Sequence, residues 1–296
     1  MRRLFAISDL HVSYRDNLAA ISELPEQPED WLILCGDIAE RPEQLELALR
    51  VLGPKFERLI WVPGNHELWS LPRDSPLRGV ERYERLVELC RRYEVLTPED
   101  PFPVWEGEGG RHLLAPLFTL YDYSFRPDQV PVEESIKWAR ESGVLCTDEL
   151  LLHPDPYESR SEWCRARCRE SEERLEKALA RHDLPTILIA HFPLKQELAL
   201  LPRIPRFMVW CGTRETEDWH LRFGARVVVS GHLHIPTTRH IDGVRFEEVS
   251  LGYPPQWRLR KEHRGWELGD HLRQILPTPA EDAGDPIGAL LGRSPA

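Results

Sequence analysis

The feature that most constrains this chain is a repeated local pattern, a short apolar run that stops abruptly at a turn made of Gly, Asp, Asn and His. Residues 3–8 lead into Asp9-Leu10-His11, and Trp31-Leu32-Ile33-Leu34-Cys35 into Gly36-Asp37. Leu59-Ile60-Trp61 leads into Val62-Pro63-Gly64-Asn65-His66-Glu67, and Thr186-Ile187-Leu188-Ile189-Ala190 into His191. Arg226-Val227-Val228-Val229 leads into Ser230-Gly231-His232-Leu233-His234. Short uninterrupted apolar runs bounded by turn residues suit strands buried on both faces. Between the first three runs, residues 17–24 and 42–52 read as helices, the second with Leu45, Leu49 and Leu52 at helical spacing. Strand, helix, strand in alternation predicts a parallel sheet with its ligands gathered at the carboxyl ends of the strands.

The rest of the chain extends the pattern. Helices are expected at 80–94 and 161–181, the latter opened by the capping-box pair Ser159 and Glu162 and carrying Glu170/Arg174 and Glu173/Lys177 on a solvated face. Strands are expected at 111–117 and 244–250, the last closing the folded part. At 296 residues, with 41% hydrophobic content and no internal repeat, the chain can bury one large core. We therefore read 1–272 as one domain, 118–160 as an insertion on the substrate side, and the Pro-, Gly- and Ala-rich 273–296 as a flexible tail. A net charge of −11 opposes a nucleic-acid backbone as partner. No apolar stretch is long enough for a membrane span, and Asp9 stands too early for a signal-peptide core, so a cytoplasmic location is expected. The six cysteines form no C-x-x-C pair, and Cys164 and Cys168 lie one helical turn apart, which suits reduced thiols on a helix face.

Each motif alone has an ordinary reading beside a chemical one. Asp9 suits a helix cap, His191 a structural histidine, and Asn65-His66-Glu67 plain turn chemistry. The aromatic loop around Tyr121 and Tyr123 suits either core or pocket. Gly36 would turn the chain so that Asp37 sits exposed at the sheet edge with two free oxygens, able to bridge two cations. His232 and His234, one residue apart, point the same way in extended chain. Taken together, Asp9, His11, Asp37, Asn65, His191, His232 and His234 are a sufficient oxygen and imidazole supply for a pair of hard cations that activate water at phosphorus.

In the order D-x-H, G-D-x-x-E, G-N-H-E, H and G-H-x-H, these blocks resemble the calcineurin-like metallophosphoesterases over residues 4–236. The resemblance implies an α/β fold, a four-layer α-β-β-α sandwich of two stacked mixed sheets flanked by helices. It implies that Asp9, His11, Asp37 and His234 hold one metal and that Asp37, Asn65, His191 and His232 hold the other. It further implies that His66 faces the substrate phosphate and protonates the leaving alkoxide, that Glu40 orients His66, and that Asn65 helps stabilise phosphoryl charge. The expected ions are manganese and iron, with zinc as the other option, and the expected reaction is attack of a metal-bridging hydroxide on a phosphoester. Blocks outside the metal motifs, Trp61 to Trp69, Tyr121 to Phe125, Trp210 to Thr213 and Asp242 to Pro254, are similar to the phosphopantetheinyl hydrolase type of this family. That type removes 4′-phosphopantetheine from an acyl carrier protein. Trp69, Tyr121 and Tyr123 are then candidates for the substrate pocket. Rival readings are a small-molecule or nucleotide phosphodiesterase or phosphatase, and a catalytically silent binding module on the same scaffold. The basic run Arg258, Arg260, Lys261, His263 and Arg264, with Arg203 and Arg206, suits either a solvated tail or a dock for an acidic carrier protein.

Overall fold

The computed structural model describes residues 2–71 and 76–279. Its strands are β1 (Leu4–Ile7), β2 (Gln27–Cys35), β3 (Phe56–Val62), β4 (Val104–Gly107), β5 (Gly110–Pro116), β6 (Thr186–Ile189), β7 (Ala225–Ser230), β8 (Thr237–Ile241), β9 (Val244–Glu248) and β10 (Arg273–Leu276). Its helices are α1 (Arg15–Ser22), α2 (Pro42–Leu52), α3 (Asn65–Leu68), α4 (Gly79–Arg92), α5 (Ser135–Arg140), α6 (Asp148–Leu151), α7 (Arg160–Leu179), α8 (Trp219–Arg222) and α9 (Pro254–Arg264). One sheet has the order β10-β1-β2-β3 and the other β4-β5-β6-β7-β9-β8. Both are mixed, since β1 to β3 and β5, β6, β7 and β9 pair in parallel while β10, β4 and β8 join antiparallel at edges.

The apolar runs are uninterrupted because both faces of these strands are covered. Alternate side chains of the first sheet, among them Leu4, Ala6, Ile33, Cys35, Ile60 and Val62, meet Leu114, Ile187, Ile189, Val227 and Val229 of the second between the sheets. Their neighbours Phe5, Ile7, Leu32, Leu34 and Trp61 point outward onto helix residues such as Ile21, Leu45, Leu49 and Leu86. Each such aliphatic side chain contributes about 1.5–3 kcal/mol on burial, enough in sum to hold the strand ends as a rigid base for the loops beyond them. The two sheets are also joined at that end. Ser8 N donates to Val249 O at 3.0 Å, and Leu251 N donates to Ser8 O at 2.9 Å.

The expected four-layer sandwich is present, but the folded part does not close at 250. Residues 254–264 form α9, and 273–276, expected at the start of a tail, form β10 against β1. Composition hid this strand because its charge is neutralised in place. Arg273 Nη2 donates to the buried Glu247 Oε1 at 2.9 Å, leaving Ile275 and Leu276 to fill the inter-sheet core. The rest of the expected tail, 280–296, lies outside the described residues. Edge strands β4 and β8 were likewise not anticipated. All six cysteines are free thiols, with Cys164 and Cys168 buried on α7. Among the described residues, no helix is long and apolar enough to cross a membrane.

Candidate metal centre

Every expected donor sits just past a strand end. Asp9 and His11 follow β1, Asp37 follows β2, Asn65 and His66 open α3 after β3, His191 follows β6, and His232 and His234 follow β7. Among the described residues, eight non-glycine positions adopt positive φ, and five of them are Asp9, His11, Asp37, His232 and His234. The left-handed region costs an L-residue roughly 1–2 kcal/mol, so such a concentration marks a place where the fold imposes side-chain direction against local preference. Backbone bonds hold these turns together, with Asp9 N donating to Gly36 O at 2.9 Å and His11 N to Asp37 O at 3.0 Å.

The donor atoms converge in three overlapping groups: Asp9, His11 and His234; His11, Asp37 and His66; and Asp37, His191 and His232. In each group, the nearest ligand atoms lie within 4.8 Å of one another. His234 Nε2 stands 3.0 Å from Asp9 Oδ1, and His191 Nε2 stands 3.4 Å from Asp37 Oδ2 without hydrogen-bond geometry. The Nε2 atoms of His11 and His234 face each other at 3.1 Å. At that distance the two nitrogens can share one proton in a hydrogen bond or both turn their lone pairs to a common cation.

The surroundings decide which atom of each donor remains free. His191 Nδ1 lies 2.9 Å from Cys35 O and His234 Nδ1 lies 2.8 Å from Gln256 Oε1, which places a ring proton on Nδ1 and turns Nε2 towards the cluster. Asp9 Oδ2 accepts from Ser8 Oγ at 2.6 Å, Ser250 Oγ at 2.7 Å and His232 N at 3.0 Å, so Oδ1 faces the cluster. Asn65 Nδ2 donates to Asp148 Oδ1 at 2.9 Å, and Asn65 Oδ1 is buried without a partner, as is His232 Nε2. Asp37 differs from expectation in two respects. It is buried rather than exposed, and its Oδ1 accepts from His66 N at 2.9 Å, so Oδ2 alone is free to face the cluster.

Electrostatics follow this packing. Burial would raise the Asp9 carboxyl, but His234 outweighs it and holds it below the ordinary range; Asp37 is held low against burial by His191 and His66. Burial lowers His232 to about 3 and depresses His11, leaving both rings neutral. Burial opposes protonation of His191 as well, but Asp37 raises it to about 10. His66 is raised too, with Asp37, the nearby Glu40 carboxylate and Asp148 together overcoming burial. Its Nδ1 lies 3.5 Å from Glu40 Oε1, and its ring packs against Trp69 with centroids 3.7 Å apart.

Two residues with positioning contacts were not assigned such roles from sequence. Glu67, read as part of a turn motif, accepts backbone N–H bonds from Asp37 at 2.9 Å, Ile38 at 2.6 Å, Ala39 at 3.3 Å and Gly64 at 2.9 Å. It thereby ties the loop after β2 to the loop after β3. The motif spacing contained Glu67, but its partners on another loop were not readable. Asp148 belongs to no motif, and only the tertiary fold brings it to Asn65. Gly64 is not in the left-handed region, since its φ is −98°. Its role is close approach, because a Cβ there would overlap Asp37 Oδ1 and stand 2.5 Å from Asp37 N. Gly64→Ala should therefore lose about 1–3 kcal/mol in denaturant titration and bind less metal; an unchanged midpoint with full metal content would refute the steric account.

A cavity of about 290 Å³ opens over the cluster, lined by Asp37, Asn65, His66, His232 and His234 together with the apolar Leu145, Leu201, Ile204 and Phe207. Trp69 lines it, as expected. Tyr121 and Tyr123 do not. Tyr121 has no exposed surface and belongs to the core, while the Tyr123 hydroxyl donates to Glu149 Oε1 at 2.9 Å behind the cavity wall. The basic run is part of α9 rather than a tail, and much of its charge is engaged. Arg258 pairs with Asp16 at 2.6 Å, Lys261 with Glu267 at 2.7 Å, and half-buried Arg260 donates to Leu251 O. Arg206 pairs with Glu141 at 3.2 Å.

Comparison with known proteins agrees with this architecture. The calcineurin-like phosphoesterase family model matches residues 2–236. The chain is 47% identical over 279 residues to the acyl-carrier-protein phosphodiesterase PptH of Mycobacterium tuberculosis, covering 93% of this chain and 84% of that one. It superimposes on the crystal structure of the phosphopantetheinyl hydrolase PptH from the same organism with a TM-score of 0.89 at 45% identity, covering 96% of this chain and 99% of that chain.

Proposed function

This chain belongs to the calcineurin-like phosphoesterase family, and from that premise we propose that it hydrolyses the phosphodiester joining 4′-phosphopantetheine to the serine of an acyl carrier protein. It is a phosphoric ester hydrolase, and its family implies a dinuclear metal centre. The observation that carries the substrate reading is the likeness, over 93% of the chain, to a relative named for that reaction. The cavity supports it, with ionisable lining suited to a phosphodiester and apolar lining suited to the flexible arm.

In this reading Asp9, His11, Asp37 and His234 hold one ion and Asp37, Asn65, His191 and His232 the other, with Asp37 shared. Asn65 Oδ1, His191 Nε2 and His232 Nε2, each buried without a hydrogen-bond partner, support the assignment. Manganese and iron suit these carboxylate, amide and imidazole donors, among which there is no thiolate; zinc remains the other option. When bound, such ions act as Lewis acids, lowering the pKa of water from 15.7 towards about 7 and offsetting charge on phosphoryl oxygens. The chain's own groups do the rest. His66 carries a proton at Nε2 on the cavity side and delivers it to the departing serine oxygen. Glu40 holds the opposite ring edge, and Trp69 covers the ring face and limits access of water. Asn65 lines the same cavity. A silent scaffold would not require donors and acid to face one another across a common cavity.

The test is intact mass spectrometry of a holo carrier protein incubated with the metal-loaded enzyme. Loss of the arm, leaving the apo carrier, is the expected result. An unchanged carrier alongside rapid hydrolysis of generic diesters would replace this reading with a small-molecule phosphodiesterase.

A further inference from the structure

We propose that Asp148 is a positioning residue that fixes which end of the Asn65 amide faces the metal cluster and, through the same oxygen, holds Trp69 on His66. The inference rests on the reading of Asn65 as a ligand. An amide has two ends of similar size and opposite chemistry, and only the oxygen can bind a cation. Asp148 Oδ1 accepts from Asn65 Nδ2 at 2.9 Å and from Trp69 Nε1 at 2.7 Å, and Asp148 is fully buried. A flipped amide would set two acceptor oxygens against each other and turn its NH₂ towards the ions. The Asp148 carboxylate thus selects the orientation in which Asn65 Oδ1, buried without a partner, is presented to the cluster.

The carboxylate stays in place because its surroundings hold a one-turn helix that would not persist alone. Arg160 donates to Asp148 O and Leu152 O, each at 2.8 Å, and to Glu149 Oε2 at 3.0 Å. Glu149 Oε1 in turn accepts from Trp210 Nε1 at 2.8 Å and from the Tyr123 hydroxyl at 2.9 Å. Ser70 N donates to Leu151 O at 2.8 Å, tying the far end of α6 to the segment after α3. Two sequence blocks remote from the metal motifs, around Tyr123 and Trp210, thereby act on the centre through α6.

The full-length chain, stripped of metal, is titrated with Mn²⁺ as wild type, Asp148→Ala, Asn65→Ala and the double variant. Asp148→Ala is expected to weaken one of two ions by about 10–100-fold and leave the other unchanged. On the Asn65→Ala background the same substitution should add no further loss, whereas a general structural defect would add its full effect. Asp148→Asn, which keeps an acceptor oxygen, should bind both ions within a few-fold of wild type; if Asp148→Ala does not fold, this variant carries the test. Wild-type affinity in Asp148→Ala, additive losses, or a 10–100-fold loss in Asp148→Asn would each overturn the role of Asp148. Two ions bound normally by Asn65→Ala would instead overturn the ligand reading on which it rests.

Discussion

Asp37→Ala is expected to leave the purified protein without either tightly held ion, measured as metal per chain by elemental analysis, and without turnover. The reason is that Asp37 groups with His11 on one side and with His191 and His232 on the other, so in the proposed assignment one substitution removes a ligand from both sites at once. The loss should exceed the about 10–100-fold in affinity that supporting residues around a metal typically contribute. Asp37 Oδ1 also accepts from His66 N, and the side chain lies between His66 and His191, so the variant releases a backbone anchor and removes the carboxylate that keeps His191 raised to about 10. Asp37→Asn separates these effects. It retains an oxygen for His66 N while lacking the negative charge, and should fold normally yet bind metal poorly. Two ions per chain in either variant would show that Asp37 is not the shared ligand.

The second large effect is expected at His66. His66→Ala should retain both ions, because its ring is not one of the proposed ligands and the backbone N–H that anchors Asp37 is kept, but should lose about 10²–10⁴ in kcat on a holo carrier protein. The size of that loss depends on the leaving group. A serine alkoxide is a poor leaving group that needs a proton, whereas a nitrophenolate departs largely without one. The same variant should therefore lose much less on an activated aryl diester. Removing Glu40 is a weaker perturbation by comparison, since its carboxylate stands at 3.5 Å from Nδ1 and acts through orientation. Equal losses on both substrates would assign His66 to phosphate binding rather than proton transfer, and unchanged turnover would remove it from the reaction.

These two residues were legible in the chain because both follow uninterrupted apolar runs, where a buried strand must end and its turn must project. The same logic places all seven candidate donors just past strand ends, and α2 was read with the ends it adopts. Legibility declined where a residue's neighbour is chosen by the fold. Tyr121 and Tyr123 lie in a loop whose composition suited core and pocket equally, and packing onto the helix-side core left both out of the cavity lining. The basic run looked like free charge, but Asp16 and Glu267 neutralise part of it across separate elements.

Taken alone, the order of residues determined the kind of sheet, the positions at which its strands stop, and the chemical types that meet there, because apolar periodicity and turn chemistry are local properties. Only the three-dimensional arrangement decided which atom of each donor is left free. That choice rests on hydrogen bonds from partners far apart in the chain: Cys35 to His191, Gln256 to His234, Ser250 to Asp9, and Asp148 to Asn65. A donor's identity is written in its own side chain, but its orientation depends on what lies behind it, and that is known only once the two sheets have packed.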